Sequence, residues 1–71
     1  MKLAYDPDTD SLYIHLTERP AADSTEVAAG VVLDFDASGA LVGIDVQHAS
    51  HTADLQRLFV SRLPLQEPGA T

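Results

Sequence analysis

Residues 5–16, Tyr-Asp-Pro-Asp-Thr-Asp-Ser-Leu-Tyr-Ile-His-Leu, restrict this chain to a sheet-forming fold. Asp6-Pro7-Asp8-Thr9-Asp10 is turn chemistry: an aspartate can accept a bond from the backbone two residues on, and Pro7 pre-sets φ for the next turn position. Leu12, Ile14 and Leu16 then alternate with Ser11, Tyr13 and His15. A period of two marks a half-buried strand. With a short strand over residues 2–5, the segment predicts a β-hairpin.

A second hairpin follows the same logic. In Val31–Phe35, Val31, Leu33 and Phe35 share one face and Val32 and Asp34 the other. Asp36-Ala37-Ser38-Gly39 supplies a turn, with Gly39 suited to a positive φ. In Leu41–Val46, Val42, Ile44 and Val46 form the matching apolar row. Gly43 interrupts that strand with no side chain, which predicts a bulge or a close backbone approach. Residues 17–23 have no periodicity and contain Pro20, so they predict a loop, and residues 24–28 a short edge strand.

After residue 50 the period changes. Leu55, Leu58, Phe59 and Leu63 stand at i, i+3, i+4 and i+8, one face of a helix. Ser50 or Thr52 can cap its start, Asp54 suits the positive end of its dipole, and Pro64 stops it. The prediction is one α+β domain over residues 1–63: a small antiparallel sheet of four or five strands in hairpins, then one C-terminal helix. That helix covers either its own sheet or a partner subunit. Residues 64–71 read as a mobile tail.

Size makes association attractive. A 71-residue chain buries only about 60% of the surface its unfolded form exposes. A core that small rarely supplies more than roughly 3–5 kcal/mol. The chain has no cysteine, hence no disulfide and no thiolate ligand. A homo-oligomer, in its commonest form a symmetric dimer, is the expectation. Four Lys/Arg against eleven Asp/Glu give a charge of −7. Such a chain repels phosphate backbones and anionic membranes, and weakly favours a basic protein partner. With no apolar signal core and no run of roughly 20 apolar residues, the expected compartment is the cytosol.

Candidate chemistry is sparse. Asp6, Asp8 and Asp10 alternate as calcium-loop ligands do, but that loop needs Gly at its sixth position and Glu at its twelfth. This chain has Ser11 and Thr17 there, so the turn reading prevails. His48 and His51 lie three apart, and Asp45 or Asp54 could complete a metal site. They are weak candidates, because two histidines in a polar connector are more often solvated. His15 shares a face with Tyr13, and Asp34 or Asp45 could lie beside it across the sheet; a general base needs such a partner and a pocket. No serine sits in a nucleophile motif and no glycine pattern cradles phosphate. No catalytic residue, cofactor or metal is therefore assigned. Tyr13, Val32 and Leu41 each stand off their strand's main apolar row, and with His15 they form the candidate partner-binding surface.

Three segments resemble a known family. Tyr5-Asp6-x-x-x-Asp10-x-Leu12-Tyr13-Ile14 is similar to the opening of the small bacterial proteins grouped as domain of unknown function family 2283. Gly30–Asp36 and Leu41–Val46 resemble its later signature, with Asp45 where the acidic residue after Gly-Ile is usually Glu. Gln47-His48-Ala49-Ser50 is similar to its Ala-Ser ending. The resemblance covers residues 2–50. It implies a compact β-rich domain with a C-terminal helix and supplies no catalytic residues. In size and genomic setting its members resemble antitoxin-like partners of small toxins. The leading expectation is a non-catalytic, dimeric protein-interaction module. The alternatives are a metal- or small-ligand-binding domain and an enzyme with a site at a subunit interface.

Overall fold

The computed structural model describes residues 1–64. Five strands form one antiparallel sheet: β1 (Lys2–Asp6), β2 (Ser11–His15), β3 (Asp23–Ala28), β4 (Val31–Phe35) and β5 (Leu41–Val46). A single short helix, α1 (Ala49–Thr52), follows them. The sheet order is β1-β2-β5-β4-β3. The two predicted hairpins are present, and β5 of the second pairs with β2 of the first. The third strand is an edge strand, as the sequence predicts.

The turns form for local reasons. Asp6 Oδ1 accepts the Asp8 N–H at 3.0 Å. At the β4–β5 turn, Asp36 Oδ1 accepts the N–H groups of Ser38 and Ala40, both at 2.9 Å, and the Ser38 hydroxyl at 2.7 Å. Gly39 takes φ 88 and donates its N–H to Asp36 O at 3.0 Å. Glycine meets that left-handed conformation without steric cost. Arg19 pairs with Asp36 at 2.8 Å, tying the β2–β3 loop to this turn.

Register sorts the side chains into rows, because facing residues of an antiparallel pair share a side. One face carries Leu3-Ile14-Ile44-Leu33-Thr25 and Tyr5-Leu12-Val46-Val31-Ala28. The other carries Lys2-His15-Gly43-Asp34-Ser24 and Ala4-Tyr13-Asp45-Val32-Glu26. The alternation of the sequence thus becomes one apolar and one polar face. A register shift at Asp34/Phe35 sets Leu41 opposite Phe35, next along β4 from the apolar residue Leu33. Leu41 therefore leaves the set it was expected to share with Tyr13 and Val32: the bulge breaks the alternation on which that grouping rested.

One helix follows the strands as expected, but at Ala49–Thr52 rather than along the stripe of Leu55, Leu58, Phe59 and Leu63. The observed helix has four residues, and Ala53 is already extended. A helix shorter than about 12 residues is marginal unless an apolar face is buried. Here Leu55 and Leu58 line a hollow of about 440 Å³ with Leu3, Tyr5 and Leu12 and with the charged Asp54 and Arg57. Leu58 remains 71% and Phe59 85% exposed. Of the tail expected at 64–71, all but Pro64 lies outside the described residues. No helix among the described residues is long and apolar enough to cross a membrane.

Among the described residues, the buried hydrophobic side chains are Val42, 3% exposed, and Ala49, fully buried. Leu12, Ile14, Val31, Leu33, Phe35, Ile44 and Val46 are only half-buried. The described strands form a single sheet.

Candidate functional site

The most organised polar cluster lies on the Tyr13 face. Tyr13 belongs to the row Ala4-Tyr13-Asp45-Val32-Glu26, yet its hydroxyl donates to Asp34 Oδ2 in the neighbouring row at 2.6 Å. It gets there by lying over Gly43. A Cβ built on Gly43 would run into the Tyr13 hydroxyl oxygen and stand only 2.5 Å from ring carbon Cζ. Gly43 is thus the close approach that its place inside a strand suggested. The tyrosine starts on β2, crosses β5 and ends on β4. Ser24 on β3 completes the link, donating its hydroxyl to Asp34 Oδ1 at 2.6 Å. Bonds to one carboxylate thus link β2, β4 and β3 across the intervening β5.

These bonds set the charge states. Tyr13 is pushed up to about 12, chiefly by its hydrogen bond to Asp34, then by desolvation and by the negative charges of Asp34 and Asp45. Asp34 is held below the usual carboxylate range by the Ser24 and Tyr13 hydroxyls. Near neutral pH the tyrosine stays protonated and the aspartate ionised. An acid–base catalyst works best with a pKa near the operating pH; both groups are displaced away from it.

His15 packs edge-on to Tyr13, with ring centroids 4.4 Å apart and planes at 66°. Gly43 stands opposite it, so neither Asp34 nor Asp45 is its cross-strand neighbour. Asp45 instead faces Tyr13 and Val32. Of the predicted partner-binding residues, Tyr13, His15 and Val32 share this face and Leu41 does not. His48 and His51 are exposed at the start and last turn of α1. Among the described residues no group of three or more His, Asp or Glu is placed to hold a metal, so Asp45 and Asp54 are not gathered with these histidines.

A second node, which sequence reasoning missed, joins the ends of the sheet region. Asp10 has φ 53, a left-handed conformation for which aspartate is enriched. Its carboxylate accepts the Tyr5 hydroxyl at 2.8 Å, the Ser50 N–H at 3.1 Å and the Ser50 hydroxyl at 2.6 Å. Its backbone carbonyl accepts the Ala49 N–H at 2.8 Å. Helix starts leave N–H groups without intrahelical partners, and here a residue 40 positions away satisfies two of them. Ser50 does not cap the helix, as the sequence suggested; it donates from inside to Asp10. These bonds hold Asp10 below, and Tyr5 above, their ordinary values, Asp10 chiefly through Ser50 and Tyr5 through Asp10.

Tyr5, Asp10, Ala49 and Ser50 are the residues that open and close the resemblance seen in the sequence, and the fold brings them together. A family profile described as "Protein of unknown function (DUF2283)" matches residues 2–50. The chain belongs to that family. The matched segment ends on Ser50, the residue that fastens α1 to Asp10, so the DUF2283 region is the whole sheet plus the start of the helix. No curated protein and no solved structure matches the chain.

Proposed function

We propose that this DUF2283 protein is a small, non-catalytic interaction module whose polar sheet face docks a basic protein, as an antitoxin docks a small toxin. The observation that carries the reading is the face itself. Asp34, Asp45 and Glu26 stand in two neighbouring rows with Tyr13, His15 and Val32. Aromatic and apolar groups supply contact area, and the carboxylates supply complementarity and steering toward positive charge. The chain's charge of −7 acts in the same direction. The displaced pKa values of Tyr13 and Asp34 support a binding rather than an acid–base role.

Co-expression of the full chain with the product of its neighbouring reading frame, followed by affinity capture, tests the reading. A basic protein should co-purify, and Asp45→Lys should weaken its capture at least tenfold while the sheet's circular dichroism is kept. Capture that is unaffected by Asp45→Lys, or a partner without excess positive charge, overturns it.

A further inference from the structure

The two edges of the sheet are built differently. In the order β1-β2-β5-β4-β3, β1 and β3 each pair on one side only. An unpaired edge is a template for another strand, and proteins blunt such edges with bulges, prolines and charge. The β3 edge is blunted: its ladder shifts between Glu26 and Ala28, and its charges, Asp23 and Glu26, are both acidic. The β1 edge is not. Its register with β2 is unbroken over all five residues, and it holds no proline. Among the described residues, no backbone hydrogen bond reaches it from a turn, a loop or the chain after β5. Its charges are of opposite sign and stand at its two ends, Lys2 and Asp6.

We propose that β1 pairs edge to edge with β1 of a second copy, antiparallel about a two-fold axis through Ala4. Charge complementarity carries the proposal. In that register Lys2 faces Asp6 of the copy, Leu3 faces Tyr5, and Ala4 faces itself, and facing residues of an antiparallel pair share a side. The two-fold makes the Lys2–Asp6 pair twice. Opposite charges directly across a ladder stabilise it and like charges destabilise it. Lys2 is the one Lys or Arg in any of the five strands, so this match is available to β1 alone. Asp6 gives Oδ1 to the Asp8 N–H, and an ionised carboxylate has further acceptor sites for an ammonium. On the apolar side, Leu3 and Tyr5 are 45% and 46% exposed, and the pairing sets each against the other's copy. Self-pairing of β3 about its own centre would set Asp23 against Ala28 and Thr25 against Glu26, with no counter-charge. Pairing β1 with β3 of another copy would leave an edge free and keep adding chains, whereas the two-fold uses the same edge on both copies and closes. The contact is a single five-residue strand, so the dimer is a reversible one. It leaves Asp34, Asp45 and Glu26 out of the contact and is independent of whether a basic protein binds there.

Sedimentation equilibrium of the full chain, with charge reversals at both ends of β1, is the test. The wild type should pass from 7.6 kDa to twice that mass as its concentration rises through the micromolar range, and salt should weaken the dimer. Lys2→Glu should weaken it at least tenfold, and so should Asp6→Lys. Mixed in equal amounts, the two variants should form a heterodimer within threefold of wild-type affinity, because each acid then meets a base. Asp6→Lys also forfeits the turn bond to Asp8, so a disulfide gives a readout that leaves the turn intact. The chain has no cysteine, and facing Cα atoms of an antiparallel pair lie about 4.5–5.5 Å apart, within disulfide reach. Under a mild oxidant Ala4→Cys should link two copies, and Thr25→Cys on the other edge should not. A wild type that stays monomeric at roughly 500 μM, where even a weak specific dimer is populated, overturns the proposal. So does a dimer that neither reversal weakens, or a mixture that stays monomeric while both variants keep the circular dichroism of the sheet. Linking through Thr25→Cys in place of Ala4→Cys overturns it as well. Each of these failures leaves the polar-face reading standing, because that reading is scored by Asp45→Lys and a co-purifying partner.

Discussion

On one face of the sheet, Ile14, Ile44 and Leu33 make a row with no polar atom in its side chains. On the other, Tyr13 crosses a glycine to reach Asp34 two strands away. The apolar row is held by area alone. Burial is worth roughly 25 cal/mol per Å² and has no directional demand, so such a row tolerates small changes but remains unfinished until something covers it. The polar face is already complete in the isolated chain. Its hydrogen bonds are short and charge-assisted, so they demand one geometry. The lesson is a division of labour between the two faces: directional bonds order the strands, and the hydrophobic side supplies area.

The sharpest way to break this contrast is Gly43→Val. A side chain there would occupy the space of the Tyr13 ring, so the ring must leave and the bond to Asp34 is lost. Overpacking plus an unpaired acceptor costs about 2–4 kcal/mol. That is comparable with the roughly 3–5 kcal/mol expected of a core this size, and urea unfolding should show most of the stability gone. Wild-type stability in this variant would mean that the tyrosine clamp does not order the sheet.

Ile44→Ala probes the other face at the same central strand. In an isolated chain Ile44 is only half-buried, and the loss should be near 1 kcal/mol, below the range for fully buried side chains. Urea unfolding should read that loss, and a loss of about 2–4 kcal/mol, the range of a fully buried side chain, would mean that this face is covered in solution.

Much of this contrast is legible in the sequence, and the missing part has a physical cause. Alternation is local, so Leu12/Ile14 and Val31/Leu33 announce their common face without knowledge of the fold. Gly43 announces a close approach for the same reason. The identity of the approaching group does not follow, because Tyr13 and Asp34 meet only once β2 and β4 are set on either side of β5. The Asp10–Ser50 contact is hidden in the same way: Asp10 is one of several turn-type aspartates until the chain returns 40 residues later. The helix fails in the opposite sense. Leu55, Leu58, Phe59 and Leu63 show where a stripe would lie, but periodicity does not tell whether a surface exists to receive it.

The effect of pH separates the two faces without mutating the apolar one. Tyr13 rises from 10.0 to about 12 on folding. Its contribution is therefore complete below pH 10.0 and is lost as the pH rises through about 12. Asp34 is lowered, so its contribution is present above the ordinary carboxylate range and is lost as acid protonates it. Asp36, lowered from 3.8 to about 2 chiefly by the Ser38 hydroxyl, adds an acid limb between those values from the β4–β5 turn. Tyr13→Phe should cost about 1 kcal/mol near neutrality, less than a buried charge-assisted bond because the site is partly hydrated. In urea titrations it should remove most of the alkaline limb and shrink the acid limb, leaving the parts due to Asp36, Asp10 and the Ser24 bond to Asp34. An alkaline limb that survives in Tyr13→Phe would place its origin elsewhere, with Tyr5 the next group to test because its pKa is also raised.

The smallest effect is expected where neither face is touched. Ser50→Ala removes the 2.6 Å hydroxyl bond to Asp10 but leaves Ser50's backbone N–H, the Ala49 N–H and the Tyr5 hydroxyl as donors to the same residue. The helix should stay docked and open more often. Amide exchange at positions 49 and 50 should quicken severalfold while the amides of β4 and β5 keep their protection, since local opening has its own free energy below that of global unfolding. Asp10→Ala removes the carboxylate and should release the Ser50 amide fully, while the Ala49 N–H keeps the backbone carbonyl of residue 10 and β4 and β5 stay protected. If Asp10→Ala instead exposed the whole sheet, the node would be part of the force that orders the strands, and the Tyr13–Asp34–Ser24 clamp would have to share that role with it.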